Sequence, residues 1–203
     1  MVTRRGGKLG QRVRTWDGQS WLLDPGALFL DFVYTGDFGV GPWREGIILS
    51  ATQMDGWLEE HLGCRLKPMT AAEFRMAIEL RDSLTRVVKA MVEEEGQPDS
   101  DDLSSTAWVA AQPDLPPVLP GYEPVEAPDA NQALSTIARD AVIHLRDDRD
   151  RLRNCDGHDC PMVFLDLSRA GKRRWCAMAR CGNRAKIHTF RAKHPEDQEQ
   201  TKE

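Results

Sequence analysis

A chain of 203 residues has room for one domain of ordinary size and a small additional module. Charged residues make up 29% and hydrophobic residues 40%, a globular composition, and no run approaches the roughly 18 consecutive apolar residues of a membrane-spanning helix. The basic start from Met1 to Lys8 has no apolar segment behind it, which excludes a secretory signal and sets the expectation of a cytoplasmic protein with no membrane partner.

The net charge of −5 conceals a division. From Arg151 to His194 there are eleven Arg and Lys against three Asp, a balance of +8, so the remainder carries −13. The first part suits a polyanion and the second repels it.

In chain order, the first fifteen residues hold five Arg or Lys without apolar periodicity, and read as a mobile basic tail. Structure is expected from Pro25, where the run Ala27 to Thr35 precedes the breaker Gly36 and fits either a short helix or a buried strand. Ser50 or Thr52 opens a predicted helix through Met54, Trp57, Leu58 and Leu62, stopped by Gly63. Thr70 and Glu73 stand at capping-box spacing before a longer helix, whose stripe is Phe74, Ala77, Ile78, Leu84, Val88 and Met91. Arg81 falls inside that stripe. A guanidinium there needs an internal ion pair, for which Asp31 is the candidate, a route to the rim, or an anionic ligand.

Asp99 to Ala111 reads as a helix with acidic residues at its N-terminus, as the helix dipole favours. Six prolines between Pro113 and Pro128 then exclude helix, leaving either a hairpin near Pro120-Gly121 or a linker. Asp129 caps a last helix of this region, with Leu134, Ile137, Ala141 and Leu145 on the face offered to the Thr70 helix. The fold class is therefore mainly α.

Four cysteines are packed into 27 residues: Cys155 and Cys160, a gap of fifteen, then Cys176 and Cys181. An odd total of five and no export signal favour thiols over disulfides. Four thiolates complete the shell of one structural zinc ion, with His158 as an alternative donor. The lone Cys64 reads as a packing residue. The fifteen-residue gap predicts a hairpin, Met162 to Leu167 paired with Lys172 to Trp175 across a turn at Ser168 to Gly171, with Phe164 and Trp175 over the metal. A helix from Gly182 to Lys193 follows. Knuckle, hairpin and helix in that order are similar to a treble-clef finger. Zinc accounts for the folding of so small a module, since about 44 residues bury little apolar surface and structural zinc supplies roughly 10–16 kcal/mol in finger peptides.

These residues carry a resemblance. Cys155 and Cys160, Phe164-Leu165-Asp166, Ser168-Arg169, the stretch Gly171 to Cys176, Met178 and the stretch Cys181 to Lys186 resemble the CGNR zinc finger. That family joins its finger to an N-terminal helical domain, ABATE, of bacterial stress-induced transcription regulators. Leu30 to Thr35 resembles that domain's Leu-Asp-Phe-Val-Asn-Thr signature, with Tyr34 in place of asparagine. The organisation expected is a basic flexible tail at 1–24, an ABATE-like domain at 25–150, a CGNR-type finger at 151–194 and a polar tail at 195–203.

The resemblance implies DNA binding by the finger. Independently, Arg169, Lys172, Arg173, Arg174, Arg184, Lys186, Arg191 and Lys193 are candidate nucleic-acid contacts, with Arg184 and His188 as candidates for base edges. The leading expectation is a DNA-binding transcription regulator whose helical domain senses a small-molecule effector or forms a homodimer. The alternative is an adaptor whose basic module docks an acidic partner, its own N-terminal domain included. An enzyme is not expected: four thiolates leave zinc no open position, and no Gly-rich phosphate loop, Gly-x-Ser-x-Gly elbow or deaminase pattern is present.

Overall fold

A computed structural model of the chain describes residues 9–15, 18–38, 44–45, 47–93, 95–117 and 126–194. The N-terminal region opens with β1 (Gln11–Thr15) and β2 (Ser20–Leu23), an antiparallel pair extended by β3 (Arg44–Glu45) on the far side of β1. The expected mobile tail at 1–24 is thus corrected for this stretch. Val13, Trp21 and Leu23 are buried along it, giving the strands an apolar face that two-residue alternation over so short a run did not reveal.

The run after Pro25 resolves to a helix, α1 (Leu28–Val33), and it lies at the centre of the molecule. Phe29, Leu30, Asp31, Phe32, Val33, Tyr34 and Thr35 are fully buried, so the segment is enclosed on every side and has no amphipathic periodicity to display. Its N-terminus has no side-chain cap of its own. Asp140 from a later helix accepts the Phe29 N–H at 2.9 Å.

The next four helices each start at a side-chain cap, at Thr70 and Asp129 as their spacing predicts. Ser50 accepts the Gln53 N–H at the head of α2 (Ala51–Leu62), which ends at left-handed Gly63. Thr70 and Glu73 form the capping box of α3 (Ala71–Val92), and Asp99 caps α4 (Ser100–Ala110). Asp129 and Gln132 form a second capping box on α5 (Ala130–Asp147). α5 packs against α4 and α1 as well as α3. The predicted hairpin at Pro120-Gly121 lies outside the described residues.

The proposed Asp31–Arg81 ion pair does not form. Arg81 is buried, but its guanidinium donates to the carbonyls of Thr35 (3.4 Å) and Ile48 (3.3 Å) and to Asp82 Oδ1 (3.4 Å). Asp31 instead accepts the Gly10 N–H through Oδ2 at 2.8 Å, which fastens the head of β1 to α1. Burial pushes its carboxyl up to about 8, the Gly10 bond opposes this, and the charges of Asp24 and Asp140 push it further.

The C-terminal region contains β4 (Leu152–Asn154), β5 (Val163–Leu165) and α6 (Asn183–Lys193). The hairpin is not the predicted one. β5 pairs antiparallel with β4, which precedes the first cysteine, so the cysteine knuckle itself forms the hairpin turn. The other edge of β5, assigned in the sequence to Lys172 to Trp175, is taken by the N-terminal region. Pro25 O accepts from Leu165 N at 2.7 Å, and the Tyr34 hydroxyl bonds both Val163 N and Val163 O at 2.7 Å. Gly26, at φ 93°, makes this approach possible, since a β-carbon there would collide with the Leu165 carbonyl. One apolar core runs from Trp21 and Phe32 through Ala133 and Ile137 to Val163, Phe164 and Cys181, so the zinc module is continuous with the helical region.

Candidate metal centre and the surface it orders

The knuckle begins where β4 ends. Cys155 N donates to Met162 O at 2.9 Å, closing the loop, and Cys160 N donates to Gly157 O at 3.1 Å within it. A β-carbon on Gly157 would lie 2.9 Å from Cys181 Sγ and 3.2 Å from Cys160 Cβ, so glycine is needed for the loops to close around the sulfurs. The second pair arrives on the segment 172–177 and on a wide turn, Met178–Gly182, where Cys181 N bonds Ala177 O at 2.9 Å. That turn leads directly into α6.

The four Sγ atoms of Cys155, Cys160, Cys176 and Cys181 lie within 4.8 Å of one another, Cys160 and Cys176 being 3.7 Å apart and Cys176 and Cys181 3.8 Å. A tetrahedral zinc with Zn–S bonds of about 2.3 Å requires sulfurs about 3.8 Å apart. The cage fits one Zn²⁺ with four protein ligands, a closed structural site. Cys155 Sγ also accepts the backbone N–H groups of Gly157 (3.4 Å) and Cys176 (3.3 Å), donors suited to a thiolate. Crowding alone splits the thiols, contact with Cys160 holding Cys155 down while contact with Cys155 pushes Cys160 and Cys176 up. A divalent cation allows all four to ionise together. His158 is exposed and turned toward Asp159 at 2.5 Å, outside the cage.

Two residues that the sequence reading passed over or misplaced hold the centre to the rest of the protein. Asp166 is fully buried. Its carboxylate accepts from Ser168 N (3.0 Å), Ser168 Oγ (2.5 Å) and Arg173 N (2.8 Å), bonds that outweigh burial and keep it below the usual carboxylate range. This carboxylate does for residues 168–173 what strand pairing was expected to do. The spacing of Asp166 and Ser168, an Asx-turn pattern inside an apolar run, was the available signal.

Arg173, expected at the nucleic-acid surface, points inward. Its Nε donates to Trp175 O at 2.9 Å, its Nη2 to Asp24 O at 2.7 Å and to Cys176 O, and its guanidinium covers the Phe164 ring at 4.5 Å. Arg174 pairs with Asp156 at 2.7 Å and lies over Trp175. Arg180, on the wide turn, lies over the Trp21 ring at 4.1 Å and tethers it to β2.

The other candidates are in the open. Arg169 and Lys172 are exposed on the turn after β5, and Arg184, Lys186, Arg191 and Lys193 are exposed on α6, none of whose residues is buried. Cys64 is half-buried against the core. Among the described residues no helix is long and apolar enough to cross a membrane.

The geometry agrees with the family comparisons. Residues 151–194 match the CGNR zinc finger, and residues 26–148 match ABATE, whose description reads "Putative stress-induced transcription regulator". A search of curated proteins found no match. With more than half of its length inside the second match and a finger whose four ligands are assembled, the chain belongs to the ABATE family and ends in a CGNR zinc finger.

Proposed function

We propose that the chain is a DNA-binding transcription regulator of the cytoplasm in which zinc positions a basic surface for duplex DNA, while the helical region senses an effector or dimerises. The observation that carries this reading is α6. It presents Arg184, Lys186, Arg191 and Lys193 on one exposed helix, and the sequence from 183 to 194 contains no Asp or Glu. Contact of such a cluster with phosphates releases counterions, so affinity should fall steeply with salt. We read the chain as non-catalytic, because the four thiolates that fit zinc leave it no substrate position.

The adaptor reading draws on the contact between the module and the helical region. That contact runs through Tyr34, Pro25 and Asp24, through Arg173 and Arg180 of the module, and through apolar side chains. Every α6 residue is exposed or half-buried, so this contact gives no support to the version of the adaptor in which the basic helix docks on the chain's own helical region.

The test uses the whole zinc-loaded chain, because the module shares its core with the helical region. Retention on duplex DNA is measured against salt for the native chain and for a variant with Arg184, Lys186, Arg191 and Lys193 changed to Gln. Native binding should weaken with a steep log–log slope, and the variant should bind weakly with the slope largely lost. No retention at low ionic strength would overturn the proposal.

A further inference from the structure

α6 carries more than charge. Every residue from Asn183 to His194 is exposed except Ala185, which is half-buried. At about 100° per residue, Asn183, Ile187, Phe190 and His194 fall on one ridge, roughly opposite Ala185, so the ridge points away from the protein. Ile187 is 51% exposed and Phe190 56%, and the Phe190 ring stacks on His194 at 4.4 Å. Arg184 and Arg191 run along one flank of this ridge and Lys186 and Lys193 along the other, each about 65–95° away. His188 falls outside the ridge.

This arrangement selects its partner. A second copy of the helix would bring like charges face to face across the ridge. A membrane surface would gain two apolar side chains, a narrow stripe for an interfacial helix. The major groove of duplex DNA, about 12 Å wide, admits a helix and is bordered on both sides by phosphates. A helix with two cations on each flank matches those two walls, and its ridge then faces the base edges. The apolar group that base edges offer in this groove is the C5 methyl of thymine.

We infer that α6 is a major-groove helix whose Ile187–Phe190 ridge contacts thymine methyls, while the Arg184/Arg191 and Lys186/Lys193 pairs take phosphates of opposite strands. The inference rests on the DNA-binding reading above and adds the groove, the strand assignment and the base class. The protein prefers A·T-rich duplexes for a reason separable from phosphate attraction.

The test compares two duplex polymers of equal length, alternating poly(dA-dT) and poly(dA-dU), which differ only in the thymine methyl. The whole zinc-loaded chain is titrated by fluorescence anisotropy across a salt series. Native protein should bind the thymine duplex more tightly, by roughly 4-fold for each methyl buried, from the transfer of one methyl-sized apolar group. Both duplexes should give the same salt slope. Ile187→Ala with Phe190→Ala should abolish the thymine preference and keep the slope. Changing either cation pair to Ala should lower the slope by about 1.8, two phosphates at about 0.9 each, and keep the preference.

Zinc content and circular dichroism report folding, and both ridge side chains are exposed. Equal binding to the two duplexes overturns the inference and leaves the DNA-binding reading standing. Absence of binding to either overturns both, and binding to vesicles of anionic phospholipid in that case identifies the helix as a membrane surface element.

Discussion

The Tyr34 hydroxyl is bonded to both backbone polar groups of Val163, accepting from the N–H and donating to the carbonyl at 2.7 Å, across 129 residues of sequence. In a sheet those groups would pair with a neighbouring strand. Here a side chain from the helical region takes the strand's place, and Pro25 O takes the next position at Leu165. Tyr34 stands where the ABATE signature has asparagine.

Tyr34→Phe keeps the ring and its packing but strands the Val163 N–H and C=O in a dry interior. Each unsatisfied group costs between about 1 and 3 kcal/mol. The variant should melt well below the native chain and surrender zinc faster to a chromogenic chelator, because the β5 edge also shapes the knuckle. Native zinc-release kinetics with only a lowered melting temperature would show that the hydroxyl supports the fold without reaching the metal.

Zinc removal tests the continuity of the core. Cys155, Cys176 and Cys181 pack in the same apolar cluster as α1 and α5, so losing the metal withdraws support from helices that hold no ligand. Chelation, or Cys176→Ser, should lower the thermal transition of the helical signal and leave one cooperative unfolding step. A helical transition unchanged in temperature after chelation would mean that the helical region is indifferent to zinc.

What the sequence made legible were the features whose physical cause is local. The caps at Thr70 and Asp129 are short-range hydrogen bonds and those helices begin where the caps stand, while the structure decides for Ser50 over Thr52 and makes Asp99, read as the first helical residue, a cap. The four cysteines are fixed by ligand chemistry and spacing, and the structure brings their sulfurs together. The misreadings arose where a distant segment decides. The edge of β5 went to Tyr34 and Pro25, the order in residues 168–173 came from one buried carboxylate, and Asp31 found Gly10 across 21 residues instead of Arg81. Arg173 shows the same limit, since its position in a basic run gives no sign that it faces inward.

Arg173 and Arg174 should therefore part company on mutation, though they are neighbours in one basic run. Arg173→Ala removes donors to three backbone carbonyls and the cover of Phe164, and should cost about 2–4 kcal/mol and weaken zinc retention. Arg174→Ala breaks an exposed pair with Asp156, of the kind that contributes about 0–1 kcal/mol, and should leave zinc binding intact. Comparable losses in chemical denaturation would contradict the internal role of Arg173.

Stability should fall as pH rises from near neutrality to about 9, and two groups set the sign. His144 is held up to about 8 by its bond to Asp140, with burial opposing and Asp148 adding support. Its contribution is complete below the unfolded value of about 6.5 and lost as pH passes its folded value, on the order of 1–2 kcal/mol. Asp31 titrates in the same direction for a different reason. With its folded value at about 8, the native state holds a proton that the unfolded chain has released, so unfolding is increasingly favoured until that proton leaves. Asp31→Asn imitates the protonated carboxyl. It should match the native chain only in acid, below the unfolded value of 3.8, already exceed it in stability at pH 6.5, exceed it further at pH 9, and flatten part of the slope. Denaturant midpoints between pH 6.5 and 9, with zinc in excess so that the cysteines stay ligated, are the measurement. A native stability that rises across this interval, or an Asp31→Asn curve parallel to the native one, would show that Asp31 is already ionised in the folded protein.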